Sequence, residues 1–194
     1  MRKVIVFTIT SLDGYTAGPG NNVMAMNMDN AFDSYCAERL GTADTLLLGR
    51  TSYEMFRGFW PAVVDNPDAT PAQREISRRD NAIDKVVVSD TAAPDESLPW
   101  HDNTTIVTRE AAHSHIADLK NQDGGDILIF GSRTLWNDLL ANGLIDELHV
   151  MVGPAAVGDG TPAFDSTPAL RPIDARTIAG SDNVLLTYQV GSPA

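Results

Sequence analysis

The chain has 194 residues, 43% hydrophobic and 21% charged, with a formal net charge of −12, which is the make-up of a soluble globular protein. So acidic a surface repels DNA, RNA and anionic membranes, and no apolar run reaches the roughly 18 residues of a membrane span. A lone cysteine, Cys36, allows no internal disulfide and points to a reducing compartment, the cytoplasm.

The opening MRKVIVFTIT places two basic residues before an apolar run, as a signal peptide does. Threonines interrupt the run, however, and Asp13 follows with no small-residue cleavage site, so a first strand is the better reading. From there two periodicities alternate along the chain. VIVFTIT (4–10) is read as a strand, DNAFDSYCAERL (29–40) as a helix, TLLLG (45–49) as a strand and SYEMFRGFW (52–60) as a helix. A surface loop is expected at 63–73, then a helix at 72–83 and strands at KVVVS (85–89) and TTIVT (104–108). A helix at 110–122, the strand DILIFG (126–131), a helix at 133–143 and the strand ELHVMVG (147–153) continue the series. Alternation of this kind predicts an α/β fold, a mostly parallel sheet with helices on both faces. The Gly/Pro-rich stretch after ELHVMVG shows no helical period, so VLLTYQV (184–190) should add an antiparallel edge at the C-terminal end. One domain over 1–190 and a flexible tail at 191–194 are expected.

In open parallel sheets ligands bind beyond the carboxyl ends of the strands. Three turns leave such ends: Gly49-Arg50-Thr51, Ser89-Asp90-Thr91 and Gly131-Ser132-Arg133-Thr134-Leu135. In the first and third, a glycine lets a ligand approach the backbone, and a helix then presents unpaired N–H groups and a positive dipole end. An arginine and hydroxyls complete each as a candidate phosphate site. Glycine, serine and threonine are also ordinary helix entrances, so it is the pair, in an acidic protein, that favours an anionic cofactor held at both turns.

Here the chain resembles the dihydrofolate reductase-like fold, and within it the bacterial RibD C-terminal domain, the reductase of riboflavin biosynthesis. SLDGYTAG (11–18), LLLGRTSYE (46–54), ILIFGSRTLWNDLL (127–140) and LIDELHVMVGPAAVGDGTPAF (144–164) carry the resemblance in order over nearly the whole length. It implies a three-layer fold, hydride transfer from NADPH to a pteridine-like or ribosylaminopyrimidine-like ring or a carbonyl, and a homodimer. Gly49, Arg50, Thr51, Ser89 and Gly131 to Leu135, Ser132, Arg133 and Thr134 included, would hold the cofactor. Relatives often carry a basic residue after the strand matching KVVVS, against the 2′-phosphate. Asp90 stands there instead, and NADH remains the alternative.

Hydride addition to C=N or C=O needs a proton. In dihydrofolate reductases a carboxylate on the helix before the G-R turn assists this, and Asp33, 16 residues before Gly49, occupies the matching place. Its other reading is an exposed carboxylate in a first helical turn, as Asp29 is. Asp13 competes for a substrate-side role or caps a turn, and Phe56 and Trp60 line a ring pocket or belong to the core. His113 and His115 cannot share a helical face, so no metal is expected, and His149 reads as packed. GDGTPA (158–163) contains Pro162 and precedes no helix, so it is not a Rossmann fingerprint. A non-catalytic dinucleotide sensor is the rival function, and a flavodoxin-like binder is disfavoured by the antiparallel edge.

Overall fold

The computed structural model describes residues 1–191. Its first strand, β1 (Val4–Thr10), buries all seven side chains, as β-branched and aromatic residues on both faces of a strand require. A short β2 (Tyr15–Ala17) and two 3-10 turns lead to α1 (Asn30–Leu40). Asp29 starts this helix by accepting from the N–H groups of Ala31 and Phe32, each at 3.0 Å. β3 (Ala43–Gly49) runs directly into α2 (Arg50–Phe59), and a 3-10 stretch at Trp60–Asp65 precedes α3 (Pro71–Ala82). Next come β4 (Asp84–Val88), β5 (Thr104–Val107), α4 (Arg109–Lys120), β6 (Asp126–Phe130), α5 (Arg133–Ala141) and β7 (Glu147–Val152). β8 (Thr161–Pro162), β9 (Leu170–Thr177) and β10 (Val184–Val190) complete the regular structure.

The main sheet runs β5-β4-β3-β6-β1-β7-β10-β9. Its first six strands are parallel, and β10 and β9 form the antiparallel edge. Alternate strand residues serve two apolar layers. Ile5, Phe7, Leu46 and Leu48 pack with Tyr35, Cys36, Tyr53 and Ile76 of α1, α2 and α3. Val4, Val6, Leu47 and Ile129 pack with Ile116, Trp136 and Leu139 of α4 and α5. Two adjacent strands, β3 and β6, therefore send their following helices to opposite faces. That is the arrangement that opens a crevice at the carboxyl edge of a parallel sheet.

Three details depart from the sequence reading. Residues 170–177, expected within an irregular connection, form β9; seven of its eight residues are exposed, and an edge strand solvated in this way lacks an apolar alternation. β2 pairs with β8 in a small separate ribbon. The expected loop at 63–73 is structured at both ends: Val63 is buried in the 3-10 stretch, and α3 begins at Pro71. There Thr70 and Gln73 form a capping box, each side chain bonding the other's backbone N–H at 3.2 Å. Of the tail, Gly191 donates to the carbonyl of Ala169 at 2.8 Å, and 192–194 lie outside the described residues.

At the amino end of β4 a charged group sits inside the fold. Lys85 is 1% exposed; its Nζ donates to the carbonyls of Asp80 and Ile83 and lies 4.4 Å from the Trp100 ring centre. Asp80 is 2% exposed, and its Oδ1 has no hydrogen-bond partner among the described residues. Burial pushes the Asp80 carboxyl up to about 7 and the Lys85 ammonium down to about 8, each partly offset by the other's charge. A carboxyl raised in the folded state favours its neutral form, so its contribution to stability declines as pH rises towards 7. Asp80→Asn removes that ionisation. Its stability relative to wild type, from denaturant melts, is expected to improve between pH 5 and pH 8 by on the order of 2 kcal/mol, because each tenfold change in proton activity is worth about 1.4 kcal/mol to one titrating group. A pH-independent difference would contradict this account of Asp80.

Candidate cofactor and substrate site

The site is built where β3 and β6 end side by side. After β6 the chain turns through two consecutive left-handed residues, Gly131 (φ 56°) and Ser132 (φ 51°). A Cβ on Gly131 would lie 3.2 Å from Ser52 Oγ, so glycine answers both to the angle and to the space. Ser132 has no such freedom, and the left-handed region costs a non-glycine residue roughly 1–2 kcal/mol. Two bonds hold it there. Its N–H donates to Ser52 Oγ and its Oγ accepts from the N–H of Gly49, both at 2.9 Å. The two turns are thus one cross-linked unit.

The helices entering from this unit differ from their neighbours. α1, α3 and α4 are capped by the side chains of Asp29, Thr70 and Thr108. Neither α2 nor α5 carries a side-chain cap among the described residues. Their first-turn N–H groups, those of Arg50, Thr51, Arg133, Thr134 and Leu135 among them, lack the partner a cap would give. Two bare positive helix ends side by side suit an anion with two charged groups.

Arg50 lies beside them with a half-exposed side chain. Its Nε bonds Glu54 and its Nη1 bonds Thr91 Oγ1, each at 2.7 Å; Nη2 takes no protein partner among the described residues. Ser89 is buried, and its hydroxyl accepts from the N–H groups of Thr91 (3.1 Å) and Ala92 (2.9 Å), shaping the turn against which Arg50 rests. Asp90 faces the start of α4: it accepts from the N–H of Arg109 at 2.9 Å and lies 3.6 Å from Arg109 Nε. Asp90, which stands where relatives often carry a basic residue, thus pairs with the first residue of α4. Arg133 pairs with Asp165 and donates to the carbonyl of Pro162.

Asp33 stands in the first turn of α1, half buried. Burial raises its pKa and the charge of Asp29 adds to this; the amide of Gln73, donating to Oδ2 at 2.9 Å, opposes it. The neighbouring Phe32 ring lies 5.3 Å from Phe7, which lies 5.9 Å from Phe130, the residue before Gly131. Phe56 and Trp60 pack, half buried, on the same cluster as Phe32. Asp13 is elsewhere engaged. Its carboxylate accepts from Ser11 Oγ (2.6 Å) and from the N–H groups of Val157 (3.1 Å) and Gly158 (2.8 Å). The Ser11 hydroxyl first, with those amides, lowers it to about 2.

Residues 2–185 match the model of the RibD C-terminal domain. The chain belongs to that family. The uncharacterized protein YwjB of Bacillus subtilis is 28% identical over 164 residues, covering 84% of this chain and 83% of its own. A Shewanella sp. PV-4 protein named for riboflavin biosynthesis superposes with a TM-score of 0.67 at 25% identity, over 97% of this chain and 99% of that one. Dihydrofolate reductase of Enterococcus faecalis, complexed with NADP(H), superposes at 0.59 and 13% identity, over 98% and 97% of the two chains. The sheet, its antiparallel edge and the helices around it are thus dihydrofolate reductase-like, as the resemblance implied.

Within this RibD C-terminal domain the GDGTPAF run acts as a strap. Besides its bonds to Asp13, Ala163 N–H donates to the Gly14 carbonyl at 2.9 Å, and Asn137 of α5 donates to the Ala163 carbonyl at 3.0 Å. Phe164 meets Trp136 edge-on at 5.5 Å. The run therefore ties the helix after β6 to the turn after β1. The interlock of Ser52, Ser132 and Gly49, the pairing of Asp90 with Arg109, and Gln73 were not read from the sequence. Their partners lie 19 to 83 residues away, with no local signal.

Gly160 (φ 144°) allows the strap its closest approach, because a Cβ there would lie 2.1 Å from the carbonyl oxygen of Ala17. Gly160→Ala should detach it. Amide exchange at Val157, Gly158 and Ala163 is expected to quicken at least tenfold while the central strands stay protected. Unchanged exchange at these three would show that the strap does not depend on this contact.

Proposed function

We propose that this domain is a nicotinamide-dependent reductase that passes hydride to a small heterocyclic or carbonyl substrate, a pteridine-like or ribosylaminopyrimidine-like ring being the leading class. The observation that carries the reading is the pair of bare helix starts, α2 and α5, cross-linked beside Arg50. Two such ends fit the linked phosphates of a dinucleotide. NADPH is the expected cofactor, with NADH the alternative. Its chemistry, when bound, is to supply the hydride.

The chain's own residues then divide the work. N–H groups of Arg50, Thr51, Arg133, Thr134 and Leu135 receive phosphate oxygens, and Gly49, Ser132 and Ser89 hold the turns that present them. Arg50 offers its free Nη2 to a phosphate without leaving Glu54 or Thr91. Asp33, whose burial favours the neutral carboxyl, donates the proton that the substrate heteroatom needs. Phe56 and Trp60 bound the ring on the α2 side, while Asp13 shapes the loop at the substrate side. A homodimer in the cytoplasm completes the proposal, and light scattering reads the dimer directly.

Two substitutions test the two halves. Arg50→Ala is expected to weaken NADPH binding, followed by fluorescence, roughly 10–100-fold, the loss of one charged hydrogen bond worth about 1.5–3 kcal/mol. Unchanged affinity would remove Arg50 from the site. Asp33→Asn should keep cofactor affinity and lower turnover by at least tens-fold, within the ~10²–10⁴-fold typical of general acid catalysis. Because its pKa is raised, wild-type rate should fall as pH climbs through that value, and the variant should lose this limb. Cofactor binding with no turnover across a panel of pteridines, aminopyrimidines and carbonyls would favour a sensor.

A further inference from the structure

We propose that Gln73 is a positioning residue for Asp33: its amide occupies one carboxylate oxygen and so assigns the transferable proton to the other. The proposal rests on the reading of Asp33 as the proton donor. The geometry begins with α3. Pro71 and the Thr70–Gln73 capping box set where this helix starts. In that box Gln73 Oε1 accepts from the N–H of Thr70 at 3.2 Å. A backbone N–H can only donate, so the amide cannot be turned round, and Nε2 must be the end that faces Asp33. It donates to Oδ2 at 2.9 Å.

An oxygen that accepts this bond is the poorer place for a proton. The neutral carboxyl therefore carries its proton on Oδ1, which takes no protein hydrogen bond among the described residues. In the transfer, the Oδ1–H bond breaks towards the substrate heteroatom, the electron pair stays on the carboxylate, and the anion left behind remains held at Oδ2. Gln73 thus acts on both states: it orients the acid and steadies its conjugate base. The other groups acting on Asp33 are few. Asp29, at the start of the same helix, opposes ionisation, and the Cys36 thiol, one turn on, is kept neutral by burial. The strand residues below, Ile5, Phe7, Leu46 and Leu48, are apolar.

A carboxyl ¹³C titration of Asp33 tests this without any substrate. Gln73→Met removes the donor, and the Asp33 midpoint is expected to rise by roughly one pH unit. In Gln73→Glu an oxygen still accepts from Thr70, so the fold is kept, while two facing carboxyls share a proton and the midpoint rises further. Thr70→Ala is the control for a merely structural role: it removes the hydroxyl half of the cap and should lower Tm, yet leave the Asp33 midpoint in place. A midpoint unmoved by Gln73→Met, or moved equally by Thr70→Ala, would overturn the proposal. Should Asp33→Asn turn over like wild type, the proton-donor reading itself fails, whatever Gln73 does to the titration.

Discussion

The structure is organised around backbone N–H groups that the fold leaves without side-chain caps. Two helices begin at neighbouring strand ends, on opposite faces of the sheet, and neither has a side-chain cap among the described residues. The left-handed Ser132 costs roughly 1–2 kcal/mol, a strain held in place by its bonds to Ser52 and Gly49. The same chain caps α1, α3 and α4 with side chains, so its sequence does not lack the means. A local deficit in an otherwise well-satisfied fold is characteristic of a binding site.

Keeping such a corner rigid requires supports from elsewhere. Ser52 and Ser132 lock the two turns to each other. The strap through Gly160 and Ala163 fixes α5 to the turn after β1, and Asp13, ionised over the whole ordinary pH range, anchors its far end. Arg133, read from the sequence as a cofactor residue, also pairs with Asp165 and contributes to this support. The arginines that begin α2 and α5 thus have different surroundings, one half exposed beside the crevice and one paired with Asp165.

Much of this architecture was legible in the sequence because the central strands are buried on both faces. VIVF, LLL and ILIF are unbroken apolar runs within β1, β3 and β6, and the helices between the strands keep a helical period. β9 was not legible, since a solvated edge strand such as LRPIDART has no apolar face to betray it. Lys85 read as an ordinary strand residue, and nothing near it in sequence announced that Trp100 would cover it. At the candidate site the glycines, Arg50 and Asp33 stood out through local pattern. The groups that set their environment did not: Gln73 lies 40 residues from Asp33 and Ser132 lies 83 from Gly49.

The central claim is that the bare amides of α2 and α5 receive the cofactor. An amide NMR titration with NADPH reads those groups one by one. Saturable shifts are expected, concentrated at Gly49, Arg50, Thr51, Ser132, Arg133 and Thr134, with NADH producing smaller ones near Arg50 and Thr91. Shifts gathered elsewhere, for instance on the 96–103 loop at the opposite end of β4, or none at saturating NADPH, would contradict it.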